Sequence, residues 1–574
     1  MATTLSLVLG GLAVYLLTYR WWGKHLEQHL VQAREDRKTP AHTLFDGVDY
    51  VPARPGVLFG HHFASIAGAA PIVGPIIALA WGWLPALLWV WLGNVLIGAI
   101  HDYLSLMASV RHQGRSIQWI AGELISPRTS YLFRVFILFT LILVIGAFAS
   151  IIATIFVKNP AVGTASLLFI LVAVITGFLL YRTPVGLGPG TLAGLFLLAG
   201  AIALAPQFPL RLSYHQWLFV LLVYMTVAAS LPVWVLLQPR DYLNAFLLWG
   251  GLAVGAMVLV FLHHPLQVPV FTQWSAPVIS GQASPFWPVI PLIIACGSLS
   301  GFHSLVASGT TSKQLARETH GLFVGFGGML TEGFLSTTVI AVVGAFGLGV
   351  LQAKGFHPSD ALAFAREYGQ ALGEVGGPVG MFAHSYAEAV VRLIPALSRH
   401  LVVVFASLWV SAFALTTLDT TARLARFTLA ELLEPLRNSR YRPAFLEHKW
   451  VASFVVSVAG LFLAFGALWR ILWPSFGGAN QLLASIALFT VSAWVFRELP
   501  HARRHHRAAV LLPALFLWVT ITAALVWYLA VPLRALLAQR PAQAVLLMGI
   551  VVTELLLNLV LLVDGLRSFR RGAK

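Results

Sequence analysis

The sequence predicts an all-α polytopic membrane protein of about fifteen spanning helices, built around an inverted repeat of five plus five. Three observations carry that expectation. The 574 residues are 58% hydrophobic and 10% charged, with a mean hydropathy of +0.82, which is more apolar surface than a soluble fold can hide. Apolar runs of spanning length recur along nearly the whole chain. After the first run, the next ten divide into two groups of five, each opening on a segment interrupted by glycine or proline.

The runs fall at 3–19, 57–81, 83–110, 129–157, 164–182, 190–206, 216–237, 242–263, 286–312, 322–350, 400–418, 450–472, 474–496, 509–530 and 544–564. In the first, Arg20 and Lys24 follow the apolar stretch instead of preceding it, so it reads as an uncleaved span with its N-terminus outside. That parity gathers most of the 37 basic residues on one face and leaves the 264–285 loop of the other face uncharged, as the positive-inside rule requires. The C-terminus is then cytoplasmic. The formal charge of +16 reads as basic cytoplasmic loops facing the lipid bilayer, with no nucleic-acid partner. The single Cys296 excludes an intrachain disulfide framework and a multi-cysteine metal site.

An odd number of spans per group makes the second group cross in the opposite sense, the plan of LeuT-like transporters. Residues 1–56 are then the first span and a cytoplasmic linker, 57–206 the first half, 207–434 the second half with an outer-face element at 351–399, and 435–574 accessory helices. The stretch 378–398 within that element reads as re-entrant or surface-lying. In this plan the first helix of each half is broken near the membrane midplane. "FGHHFASIAGAAPIVGP" (Phe59–Pro75) supplies one break, and "TVAASLPVWVLLQPRDY", with Pro232 in mid-span, supplies the other.

A broken helix frees backbone groups that a membrane tolerates only against protein, water or ligand. Freed NH groups near Gly60–Ser65 suit a carboxylate, with His61 or His62 as donor; Ser230 and Trp234 face them from the other break. Adjacent histidines sit about 100° apart on a helix, so one faces the ligand and the other a neighbour. Freed carbonyls near Ala64, Ala67 and Gly68, with the hydroxyls of Ser300 and Ser304, suit Na+ as the coupling ion, the one cofactor expected. Ser300, His303, Ser304 and Ser308 lie on one helical stripe, which places His303 with the substrate groups. Asp102 and Glu332 are intramembrane acids and candidates for proton coupling; Asp102 is also placed to pair with Arg111. Asp419 and Arg423 form an i,i+4 pair read as a cytoplasmic gate. His384, Glu388 and Arg392 share a face of the outer element, and Asn480 and Gln481 read as scaffold packing.

Several segments resemble the carbon starvation protein A family: "DGVDYVPARPGVLFGHHFASIAGAAPIVGPIIA" (Asp46–Ala78), "LPVWVLLQPRDYLN" (Leu231–Asn244), "CGSLSGFH" (Cys296–His303), "LTTLDTTARLARF" (Leu415–Phe427) and "FGGANQLLA" (Phe476–Ala484). The resemblance implies a bacterial inner-membrane secondary transporter of the amino acid, polyamine and organocation superfamily type, taking up pyruvate or peptides in carbon starvation on an ion gradient. His101-Asp102 stands where some members read Gln-Asp. The expected function is import of a small carboxylate such as pyruvate, or of peptides, coupled to Na+ or H+, with no enzymatic activity. The competing readings are a membrane sensor for such a solute and a metal- or haem-containing membrane enzyme.

Overall fold

A computed structural model describes residues 2–47, 49–232, 235–434, 444–466 and 469–571. The chain is mostly helical. Helices are α1 (Thr4–Val31), α2 (Pro55–Ala67), α3 (Ala70–Trp81), α4 (Trp83–Arg111), α5 (Ile117–Leu124), α6 (Pro127–Lys158), α7 (Pro160–Leu180), α8 (Leu187–Gln207), α9 (Tyr214–Ser230) and α10 (Leu237–Leu262). An antiparallel hairpin, β1 (Ser275–Ile279) and β2 (Gln282–Pro285), lies in the uncharged loop that follows. Then come α11 (Phe286–Ile293), α12 (301–314), α13 (Leu322–Gln352), α14 (Ala361–Glu374), α15 (Gly377–Leu393), α16 (Arg399–Leu433), α17 (Lys449–Phe465), α18 (Ile471–Glu498), α19 (Arg504–Gln539) and α20 (Pro541–Arg567).

Among the described residues, 11 helices are long and apolar enough to cross a membrane, or 12 when α2 and α3 count as one span bent by 45°. Most apolar runs of the sequence fall on helix, but α9 and α17 are apolar and shorter than a span, and the run 286–312 is divided into the short helices α11 and α12. Of the outer element 351–399, α14 and α15 are both too short to cross.

The long helices α6 and α16 pack on each other at the centre. Two short helices sit at comparable places beside them: α5 against α6 and α18, and α15 against α16 and α10. The 264–285 loop folds over the turn at Gly82, where φ is +103° and a Cβ would meet Val270 O at 2.5 Å, so only glycine fits. Trp83 N, Leu84 N and Thr272 N bond across this junction, and Tyr368 of α14 donates to Ile76 O at 2.8 Å, closing the bundle on that side.

The two breaks differ in how they are written. Arg54 N-caps α2 with Pro55 in its first turn, and Gly68, at φ +43°, ends it. Helix α3 restarts with Pro71 in its first turn, where no NH is needed. The second break is a correction. Pro232 does not interrupt a span: Leu231 before it is extended, as a residue preceding proline prefers, and α9 has already ended at Ser230. The expected continuous run 286–312 is instead broken at 294–300, between α11 and α12.

Candidate functional site

The 294–300 break is a stretch of irregular backbone in the bundle interior, and its polar groups must be met there. Asn94 of α4 donates to Gly297 O (2.9 Å) and Met329 O (2.8 Å). Asn480 of α18 donates to Ala295 O (2.7 Å) and accepts from Phe302 N (3.0 Å). Gln481 reaches Ile294 O and Leu299 O, each at 3.3 Å, and Trp473 Nε1 reaches Ile293 O. Asn480 and Gln481, expected to be scaffold packing, therefore complete this break. Glycines make room for it: a Cβ at Gly98 would lie 2.3 Å from Ser298 O, and one at Gly74 would lie 2.7 Å from Ile293 O. The last contact sets α3, just past the first break, against the end of α11, where the second break begins.

Beside the second break runs a fully buried polar chain. Asp102 holds His101 Nδ1 with one oxygen and His303 Nδ1 with the other, both at 2.7 Å. His303 Nε2 is 3.4 Å from Glu332 Oε2, and Glu332 Oε1 accepts from Gly297 N at 3.2 Å. An imidazole between two carboxylates can take a proton at one nitrogen and give it up at the other. Asp102 does not pair with Arg111, whose guanidinium goes to Glu318 at 2.8 Å. Cys296, His303 and Glu332 bring ligand atoms within 4.8 Å of one another, a possible metal set, with His303 Nδ1 already committed to Asp102.

A cavity of about 980 Å³ opens on the face that carries Asp49, Tyr50, Arg115 and Lys313. Its walls are α2, α10, α12 and α16, and Gly60, His61, Ser65, Asp241, Thr420 and Arg423 are among its lining. At its edge, Arg240 is fully buried and paired to Asp419 and, at 2.7 Å, to Asp241 Oδ1; Tyr224 donates to Asp419 at 2.9 Å. Asp241 Oδ2 points to His61 Nδ1 at 4.0 Å. Arg240 faces two carboxylates, Asp419 and Asp241, and the Arg423 guanidinium lies close enough to act on both. Arg423 is not the partner of Asp419. Its Nη2 donates to Ala228 O (2.9 Å) and Leu231 O (2.7 Å), capping the end of α9, and its buried Nε has no partner among the described residues.

Of the residues expected to bind substrate, Gly60, His61 and Ser65 line the cavity. His62 is buried away from it, with Nδ1 2.9 Å from Thr311 Oγ1 and its ring over Gly328; His303 belongs to the buried chain. Ser230 is buried at the end of α9 with its hydroxyl unpartnered among the described residues, and Trp234 lies outside them. Of the expected ion ligands, Ser300 Oγ bonds Asn480 Oδ1 and Ser304 Oγ bonds Gly301 O. Ala64, Ala67 and Gly68 are buried at the first break, where Gly68 faces Thr417 Oγ1 of α16. Asp241 and Arg240, the residues that give the cavity edge its charge, were not singled out. The signal was an Arg-Asp pair in the "QPRDY" that follows an apolar run. The outer-element face is partly an ion pair, Arg392 to Glu388 at 3.0 Å.

A family model described as Carbon starvation protein CstA matches residues 3–524. A Mycobacterium tuberculosis protein named Peptide transporter CstA is 34% identical over 542 residues, covering 84% of this chain and 70% of the relative. A Bacillus subtilis protein of the same name is 31% identical over 558 residues, covering 91% and 90%. An Escherichia coli protein named Pyruvate/proton symporter BtsT is 30% identical over 601 residues, covering 91% and 81%.

Proposed function

The chain belongs to the carbon starvation protein CstA family, and on that premise we propose that it is a multi-pass membrane transporter that imports peptides in preference to pyruvate, driven by protons. The observation that carries the substrate reading is the pairing of opposite charges on one cavity wall. Asp241 and Arg423 both line the cavity, and Asp241 Oδ2 lies 4.0 Å from His61 Nδ1. A peptide is zwitterionic: its ammonium suits Asp241 and its carboxylate suits Arg423 and the NH groups of the first break. Pyruvate has no cation to offer Asp241.

The architecture supports alternating access in an inverted repeat whose register differs from the sequence expectation. One half is α2/α3, α4, α6, α9 and α10; the other is α11/α12, α13, α16, α17 and α18. Each half opens on a broken helix and carries a short helix, α5 or α15, between its second and third members. The short helix packs on its own half's third member and on the other half's fifth: α5 on α6 and α18, α15 on α16 and α10. The pair α7 and α8 is then an insertion. With the N-terminus outside and the C-terminus inside a bacterial inner membrane, the cavity faces the cytoplasm, and the 264–285 loop with α14 and α15 closes the outer side.

For coupling, the Asp102–His303–Glu332 chain supports a proton over Na+, because the Ser300 and Ser304 hydroxyls are already bonded elsewhere. A proton reaching Glu332 weakens its hold on Gly297 N, and so acts on the second break itself. The test is a competition uptake panel in proteoliposomes: dipeptides, amino acids, pyruvate and lactate, with Na+ and pH gradients imposed separately. Dipeptide accumulation on a pH gradient alone is expected. Accumulation indifferent to pH would remove the coupling reading, and solute binding without accumulation would favour a sensor.

A further inference from the structure

The function above leaves one cluster of chemistry unused. The sequence places His25 and His29 at the end of the first span and His505-His506 in a basic segment 481 positions from His25 at its far member. The fold brings these together. His25 Nε2 lies 3.0 Å from His506 Nε2, the His505 and His506 rings are 4.1 Å apart, and His29 stacks on His25 with ring centroids at 4.5 Å. His501 Nε2, at 2.8 Å from Leu30 O, fastens the same two segments. Ligand nitrogens of His25, His505 and His506 all lie within 4.8 Å of one another.

We propose that His25, His505 and His506 form a divalent transition-metal site that clamps the end of α1 to the start of α19. In a tetrahedral zinc site, bonds of about 2.0–2.1 Å place ligand nitrogens about 3.3 Å apart, so shifts of a few tenths of an ångström to about an ångström assemble it here. An all-imidazole donor set selects Zn2+, Ni2+, Co2+ or Cu2+ over Mg2+ or Ca2+. Binding through both Nε2 atoms requires that the proton now between His25 and His506 move to a ring's Nδ1 or to solvent; no other bond changes. Nearby cations oppose a dication, Arg503 above all since it acts on both His25 and His506, while Lys24 is paired to Glu27 at 2.7 Å and the Arg507 guanidinium is turned onto the Phe496 ring. His505 is exposed, which gives the metal access from water. His506 Nδ1 has no hydrogen-bond partner, so the orienting outer contact that strengthens permanent sites is missing. The site therefore exchanges its metal and reads out its availability.

The experiment is Co2+ binding to the detergent-purified full chain carrying no polyhistidine tag, followed by the cobalt d–d absorption and by equilibrium dialysis. One Co2+ per chain is expected, with affinity falling about 100-fold or more in H25Q/H505Q. The exposed single variant H505Q, whose side chain can be lost without disturbing the fold, is expected to fall at least about tenfold. Thermal stability should rise on adding Zn2+ to the wild type and not to H25Q/H505Q. Absence of saturable binding overturns the proposal, as does stoichiometric binding that survives H25Q/H505Q and disappears in C296S, which would place the metal at Cys296, His303 and Glu332 instead.

Discussion

Replacing Asn480 with leucine removes the side chain that holds both ends of the second break. Its Oδ1 accepts from Phe302 N at 3.0 Å and its Nδ2 donates to Ala295 O at 2.7 Å; both partners are buried. Leucine is close in size, so the loss is polar and not steric. Each orphaned buried group costs about 1–3 kcal/mol, or about 2–6 kcal/mol for the two. The Ser300 hydroxyl, which also bonds Asn480, is free to turn elsewhere. Against a total stability of about 5–15 kcal/mol, this is a large fraction. The assay is thermal unfolding in detergent together with initial uptake rates. N480L at the wild-type melting temperature and rate would refute the claim that this amide completes the break.

Other perturbations separate the remaining parts. Arg240→Ala leaves Asp419 and Asp241 unpaired in the interior and should cost about 3–5 kcal/mol, with R240M/D419M recovering much of it by thermal unfolding. Gly98→Ala drives a methyl to 2.3 Å from Ser298 O and should destabilise by about 1–3 kcal/mol, read as a lowered melting temperature. Glu332→Gln should keep solute exchange down a concentration gradient while losing accumulation driven by a pH gradient; retention of both would remove Glu332 from coupling. His61→Gln should weaken solute binding, since His61 lines the cavity, whereas His62→Gln should leave solute binding intact and alter stability through Thr311.

The membrane class, the helical runs and the first break were legible because each is local. Hydropathy sets the spans, and glycines at 60 and 68 followed by prolines at 71 and 75 mark Phe59–Pro75 as interrupted, as Gly68 at φ +43° then shows. The second break was passed over although Gly297, at φ +81°, sits within it, because Ile294–Ser300 contains no proline and continues an apolar run into the stripe of Ser300, His303, Ser304 and Ser308. What opens it is distant: Asn94, Asn480, Gln481 and Glu332 bond its backbone, and Gly74, Gly98 and Gly477 clear space for it. Pro232 misled for the converse reason, since a proline breaks a helix equally well at its end. The site divides in the same way. That His61 and Ser65 line the cavity follows from the broken helix that carries them. Asp241 was passed over, since its meaning depends on Arg240 being neutralised by Asp419, 178 positions further along in the chain than Asp241 itself. The i,i+4 rule joined Asp419 to Arg423, but the cap on α9 and the buried Arg240 outcompete that pairing.

The central claim is that Asp241 meets the ammonium group of a peptide carried on a proton gradient. Its most direct test is uptake of a labelled dipeptide and of labelled pyruvate by sodium-free proteoliposomes under an imposed pH gradient, comparing wild type with Asp241→Asn. A charge-assisted hydrogen bond contributes about 1.5–3 kcal/mol, so dipeptide affinity should fall about 10- to 150-fold in the variant. Dipeptide accumulation in the wild type that is lost in the variant is the predicted result. Pyruvate accumulating equally in both, with the dipeptide excluded, would contradict the account.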